Sequence, residues 1–165
     1  MTNEIIESIN IAKKLLQTVR HAAMATVNVD GSPHNTPFFF MYDPRLTKIY
    51  WVSHPESLHS KNIMRTGQIF VAVYDAHARG GLYISAHKGH ALGGSELDEA
   101  LKIHNTFRAR EEKQPLEKSY YVGKNPQRMW SAEITNIWIL MGERDSNGLL
   151  TKEYRQEVTA KDLLG

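Results

Sequence analysis

A small antiparallel β-barrel with peripheral helices is the fold class that this sequence predicts, and three observations predict it. Six runs read as strands, most of them joined in hairpin order by turn residues rather than by crossover helices. Helical periodicity is confined to the start, the middle and the stretch before the last strand, which argues against a doubly wound sheet. The chain has 165 residues and 41% hydrophobic content, enough for one full core and too little for two. Residues 1–165 are therefore expected to form a single domain.

The elements follow in order. In EIIESINIAKKLLQTV, Ile5, Ile9, Ala12, Leu16 and Val19 recur at helical spacing, so residues 1–20 read as a covering helix. AAMATVNV and SPHNTPFFFMY flank Asp30-Gly31, a pair that tolerates positive φ in a tight hairpin. A second turn, DPRLTK, has Pro44 to set φ and leads into the strand IYWVS. SLHSKNIMRTG reads as a short helix stopped by Gly67, and IFVAVYD as a strand buried on both faces. GLYISAHKGHAL alternates Leu82, Ile84 and Ala86 against Tyr83, Ser85 and His87, the signature of a long strand.

SELDEALKIHNTFRARE places Leu97, Ala100, Leu101, His104 and Phe107 on one helical face, with Ser95 as its expected cap. The segment 113–127 reads as loop with a turn of helix. RMWSAEITNIWILMG reads as the sixth strand, with Ile137, Ile139 and Met141 alternating against Trp138 and Leu140. The tail 142–165 is polar and has no clear pattern. TPFFFMY and IFVAVY are apolar on both faces, and a barrel interior takes only one, so a second subunit is expected to cover the other.

Composition narrows the chemistry. Twenty Lys plus Arg stand against eighteen Asp plus Glu, and the charges are interspersed, so a nucleic-acid partner has little support. The absence of cysteine excludes disulfides, thiolate metal sites and cysteine nucleophiles. No segment approaches the ~20 apolar residues of a membrane span. A cytoplasmic protein without membrane attachment is expected.

The stretch HPESLHSKNI, residues 54–63, concentrates hydroxyls, imidazoles and a lysine between a strand and a helix. Two registers are open. Ser53 with Pro55 and Glu56 would make a plain capping box, in which Glu56 repels an anion. If Ser57 caps instead, the amides of His59 and Ser60 face outward with partial positive charge, a ready phosphate site.

The run ATVNVDGSPHNTPFFFMYD, then KIYWVSHPESLHSKNIMRTGQIFVAVYD, then RGGLYISAHKGHAL, resembles in order and spacing the pyridoxamine 5′-phosphate oxidase-like family, the flavin-binding split barrels. The resemblance covers about residues 20 to 110. It implies a six-stranded, homodimeric split barrel that binds flavin mononucleotide (FMN), with the phosphate on the helix start. By position, Ser53 and His54 would lie beside the ribityl chain or ring, and Ser57, His59, Ser60, Lys61 and Asn62 would surround the phosphate. Pro37, Phe38, Phe39 and Trp51 would lie along the ring, and a second subunit would complete the pocket. The chain departs from the family where pyridoxine-phosphate oxidases carry Ser-Arg-Lys, since it has Ser57, Leu58 and His59. Their C-terminal arginine motif is also missing, so the vitamin phosphate is not the expected substrate.

The resemblance implies a redox protein that takes electrons from a reduced nicotinamide, NAD(P)H, and passes them through FMN to a small-molecule substrate. The cofactor carries the chemistry, and the sequence names no dedicated catalytic side chain. Two alternatives stand beside it: a non-catalytic flavin or heme-binding, stress-related protein, and a deazaflavin-dependent reductase. His87 and His90 in HKGH project to opposite faces of a strand, so no metal site is expected from them. Heme-binding relatives leave either as a candidate axial ligand. Trp138 is expected at the core or a dimer contact, Trp130 at the core or a ligand, and the ARGG stretch, residues 78–81, as a loop before a strand.

Overall fold

The computed structural model describes residues 2–75 and 80–165. The stretch ARGG begins outside the described residues, at Ala78 and Arg79.

Helix α1 (Asn3–Thr18) is capped by Thr2 and buries Ile9, Ala12, Leu15 and Leu16. Strands β1 (His21–Val27) and β2 (Pro33–Phe39) form the first hairpin, whose turn places Gly31 at φ 84°. The run expected as one strand breaks at Phe40, giving a separate two-residue strand β3 (Met41–Tyr42). In the turn that follows, the buried Asp43 carboxylate accepts from the amides of Thr47 (2.7 Å) and Lys48 (2.6 Å) and holds the loop into β4 (Lys48–Ser53). Helix α2 (Leu58–Thr66) ends at Gly67 in the left-handed region. Strands β5 (Ile69–Val73) and β6 (Leu82–Ala91), helix α3 (Gly94–Ala109), a 3-10 turn (Lys118–Tyr121) and β7 (Arg128–Arg144) complete the expected set.

All pairings are antiparallel, in the order β2-β1-β5-β6-β7-β4-β3. The two ends of that order, β2 and β3, are neighbours in the chain and separated only by Phe40, so the sheet must curl until its edges approach. A mainly β, antiparallel split barrel with peripheral helices results, as the sequence implies.

Three details differ from expectation. The described residues hold eight strands rather than six, because β2 and β3 separate and the tail supplies β8 (Leu150–Val158), paired to the second half of β7. The tail ends in a short helix, α4 (Ala160–Leu164), with a Thr159–Asp162 capping box. The cap of α3 is Gly93 and not Ser95, which lies inside the first turn.

Two apolar clusters flank the sheet. The barrel interior, closed by α1, holds Met24, Phe38, Phe40, Trp51, Val71, Ile84 and Trp130. The second lies under α3, where Met41, Tyr50, Leu97, Ala100, Phe107, Tyr121 and Met129 meet. Strand β4 separates them, with Trp51 in the first and Tyr50 in the second.

Candidate functional site

Helix α2 begins after Ser57, the second of the two registers open in the sequence. The Ser57 side chain caps no backbone amide. Its hydroxyl donates to Ser60 Oγ at 2.8 Å, and Ser60 donates in turn to Ser53 Oγ at 3.1 Å. Each serine has one hydrogen to give, and that of Ser53 has two acceptors in reach, His59 Nε2 at 2.6 Å and the His54 carbonyl at 3.4 Å; we assign it to the nearer. The result is a chain of three hydroxyls ending on an imidazole that accepts. Burial and then the nearby His34 lower the His59 pKa and favour the neutral ring, and the assignment of the Ser53 hydrogen puts its proton on Nδ1. The ring of His34, from β2, lies parallel to that of His59 at 6.4 Å.

The other predicted residues divide. Lys61 is exposed and pairs with Glu56 at 2.9 Å. His54 is exposed, and its Nδ1 accepts from the Glu56 amide. Asn62 is buried and donates to Thr26 Oγ1 (3.1 Å) and Asn28 Oδ1 (2.9 Å), which ties α2 to β1. Pro37 is exposed on β2. Trp51 and Phe38 are placed differently from the expectation that they line a flavin ring. Both point into the barrel, Trp51 fully buried and stacked on Trp130 at 6.1 Å, so neither offers a free face to a ligand at the surface. Trp130 is likewise core, and its indole N–H donates to the Ser53 carbonyl.

His87 and His90 are each paired with a carboxylate, Glu133 at 3.4 Å and Glu96 at 3.3 Å. Among the described residues no group of three His, Cys, Asp or Glu could hold a metal ion.

Of the cavities among the described residues, two away from the α2 start carry titratable groups beside aromatic ones. One of about 200 Å³ opens beside α3 and is lined by Phe39, Val52, His104, Arg108, Tyr120 and Tyr121. Val52 adjoins Ser53 in the chain but faces the α3 cluster, so this cavity lies across β4 from the hydroxyl chain. His104, buried on the inner face of α3, shares a hydrogen bond of 2.8 Å between its Nδ1 and the Tyr121 hydroxyl. Burial, with smaller contributions from Arg108 and Lys113, pushes its pKa down to about 4, and burial pushes Tyr121 up to about 12. The sequence reading placed His104 on the helix face without giving it a role; a titratable residue in an apolar stripe was the available signal. The second cavity, about 560 Å³, lies along β1, β5 and β6 and is lined by Ala25, Pro33, Phe70, Ser85, His87 and Thr135 among others. Beside it the half-buried Phe70, Tyr83 and Trp138 form an aromatic face, with the Arg155 guanidinium 4.0 Å from the Tyr83 ring centre.

No protein-family model and no curated protein matches the chain, whereas many solved structures do. A heme binding protein from Mycobacterium smegmatis superposes with a TM-score of 0.64 at 12% identity, over 95% of this chain and 60% of that one. A protein related to general stress protein 26, of the pyridoxinephosphate oxidase family from Clostridium acetobutylicum, gives 0.61 at 8% identity over 93% and 96%. An F420 reductase gives 0.55 at 15% identity over 76% and 94%. The chain has the pyridoxamine 5′-phosphate oxidase-like split-barrel fold. These barrels include a protein named for heme binding and one named an F420 reductase, so the fold is shared across more than one cofactor chemistry. The chain spans three fifths of the mycobacterial protein's length. No helix among the described residues is long and apolar enough to cross a membrane.

Proposed function

We propose that this single-domain chain is a cytoplasmic, homodimeric FMN-binding oxidoreductase that passes electrons from a reduced nicotinamide to a small acceptor. The observation that carries the reading is the α2 start, where Ser53, Ser57, Ser60 and His59 meet and no side chain caps the first amides. Such a donor set fits a phosphate group: uncapped amides and the helix dipole favour an anion, and hydroxyls supply directed hydrogen bonds. Lys61 supplies charge once it leaves Glu56. Asn62 holds the helix against β1 and acts by positioning. When bound, the flavin supplies the hydride and electron chemistry, and the protein supplies binding and orientation.

The acceptor is assigned to the cavity beside α3. Its aromatic walls suit a flat molecule, Arg108 and Lys113 against the single Glu111 favour an acidic one, and the neutral His104 lies on its wall. Dimerisation is assigned to the aromatic face of Phe70, Tyr83 and Trp138, which this chain leaves half covered.

The test is the visible spectrum and mass of whatever co-purifies, followed by reduced-nicotinamide oxidation. A flavin band with the mass of FMN and turnover supports the proposal; bound flavin without turnover reduces it to a carrier, and the mass of a deazaflavin replaces the cofactor. One observation favours a second reading. The cavity of about 560 Å³ is mostly apolar and has His87 on its wall, which suits a heme, so a heme band lost in His87→Ala would displace the flavin assignment.

A further inference from the structure

The hydroxyl chain at the α2 start has a direction, and that direction matters for what it can bind. With His59 neutral and protonated on Nδ1, each serine hydrogen is used inside the cluster: Ser57 to Ser60, Ser60 to Ser53, and Ser53 to the imidazole at 2.6 Å in preference to the His54 carbonyl at 3.4 Å. An arriving anion needs donors and would find the three hydroxyl hydrogens already committed. A proton on His59 Nε2 changes this. The ring must then donate to Ser53 rather than accept from it, and the Ser53 hydrogen has to turn elsewhere. The hydrogens of Ser60 and Ser57 are free to turn with it. One proton thus converts a closed cluster into an outward-facing set of donors and adds a positive charge beside them.

Resting on the reading that a phosphate seats here, we propose that this is a proton-coupled anion site: His59 takes up a proton as the phosphate binds, and His34, stacked on it from β2, tunes that step. The charges around the ring favour the coupling. On the helix and the turn before it, Glu56 and Lys61 neutralise one another and His54 is exposed. From β1 the helix meets the uncharged Thr26 and Asn28, and Arg65 donates to the Val27 carbonyl. From β6 it meets Gly89, while Lys88 and His87 are paired with Glu133 and His90 with Glu96. From β4 it meets Ser53, and from β2 it meets His34, whose own protonation would oppose that of His59. Among the described residues the carboxylates beside α2 are Glu56, paired with Lys61, and Asp30, which accepts from Ser32 and shares a cavity with Lys61 and Asn62; neither is bonded to the ring, so the ligand must bring the countercharge. The free state keeps the imidazole neutral through burial, and the phosphate dianion reverses that preference.

Calorimetry of FMN binding to the full chain, at pH 7.5 in two buffers of different ionisation heat, measures the proton directly. At that pH the free phosphate is already a dianion, so its own titration adds little. The expected result is uptake of about half to one proton with FMN and none with riboflavin, and FMN affinity roughly tenfold higher at pH 6.5 than at pH 8. His59→Gln should still bind FMN, more weakly, with no proton uptake. Should that variant not fold, ¹⁵N-histidine spectra of the unaltered chain carry the test, since one ring must pass from neutral to charged on FMN addition. FMN binding without proton uptake, or with no histidine changing state, overturns the proposal and leaves the phosphate reading intact. Equal affinity for FMN and riboflavin, or no binding of either, overturns both.

Discussion

His59 and His104 are imidazoles on two different helices, one reached from Ser53 of β4 and the other facing the cavity wall of Val52, yet their surroundings give them opposite chemistry. His59 is half-buried at the mouth of a helix, ends a chain of hydroxyls and faces a second imidazole. His104 is buried on a helix face among aromatic rings and is hydrogen-bonded to one phenol. Both are kept neutral mainly by burial. The difference lies in what a proton would do. At His59 it turns movable hydroxyls outward, whereas at His104 it leaves a charge in an apolar wall with Arg108 and Lys113 nearby and no carboxylate bonded to the ring. Burial alone does not make a histidine a switch; reorganisable partners do.

The largest expected effect breaks the comparison from the His104 side. Its folded pKa, about 4, lies below the unfolded value near 6.5, so the unfolded chain binds more protons in the interval between. The contribution of the neutral ring to stability is complete above pH 6.5 and is lost as pH falls towards 4, a total of about 3 kcal/mol at ~1.4 kcal/mol per pKa unit. Denaturant unfolding from pH 7 to pH 4 should therefore show a steeper loss for the parent than for His104→Phe. Parallel pH profiles would show that His104 titrates alike in both states. At pH 7 the same variant strands the Tyr121 hydroxyl and should cost about 1 to 3 kcal/mol.

Next in size is Lys61→Ala. Phosphate binding should weaken by about 1 to 2 kcal/mol, the range of a half-exposed charged partner, while riboflavin binding stays unchanged. Equal losses for the two ligands would assign Lys61 to the fold or the ring.

These sites were unequally legible in the sequence. The α2 start could be read because it is local: strand, donors and helix lie within fourteen residues, Ser53 to Thr66, and helix physics ties them together. The cavity beside α3 could not, because His104 and Tyr121 are brought together only by packing, and no short motif connects them. Trp51 was misplaced for a related reason. The run KIYWVS is apolar on both faces and buried on both, so alternation identifies the strand but not which face meets the barrel. The barrel itself was legible from hairpins and alternation. Strand β8 was not, since six of the nine residues of Leu150–Val158 are exposed and its order comes from pairing with β7.

A smaller effect sharpens the comparison from the His59 side. Ser57 occupies the cap position of α2, where a serine usually contributes about 1 kcal/mol, but its hydroxyl bonds to Ser60 and approaches Ser53 and His59 instead. Ser57→Ala should therefore change the unfolding free energy of the ligand-free chain by less than the usual ~1 kcal/mol, yet lower FMN affinity, because it removes the first donor in the hydroxyl chain. A full capping loss with unchanged FMN affinity would return Ser57 to an ordinary structural role.

The smallest expected effect is that of Glu56→Gln, and its sign is the informative part. Glu56 lies just outside α2, exposed, and holds Lys61 through an ion pair that also lowers the carboxylate's pKa, first through the hydrogen bond and then through charge. Exposed pairs of this kind add little to stability, so the unfolding midpoint should not move. The ligand effect has a direction. An anion at the helix start competes with Glu56 for Lys61, and the glutamate's own charge opposes it, so neutralising Glu56 should leave FMN affinity equal or slightly higher. At raised salt the difference between parent and variant should vanish, because both the competition and the repulsion are screened at the surface. A weaker FMN complex in Glu56→Gln would mean that the carboxylate positions Lys61 for the phosphate instead of withholding it, and the ion pair would then belong to the binding site.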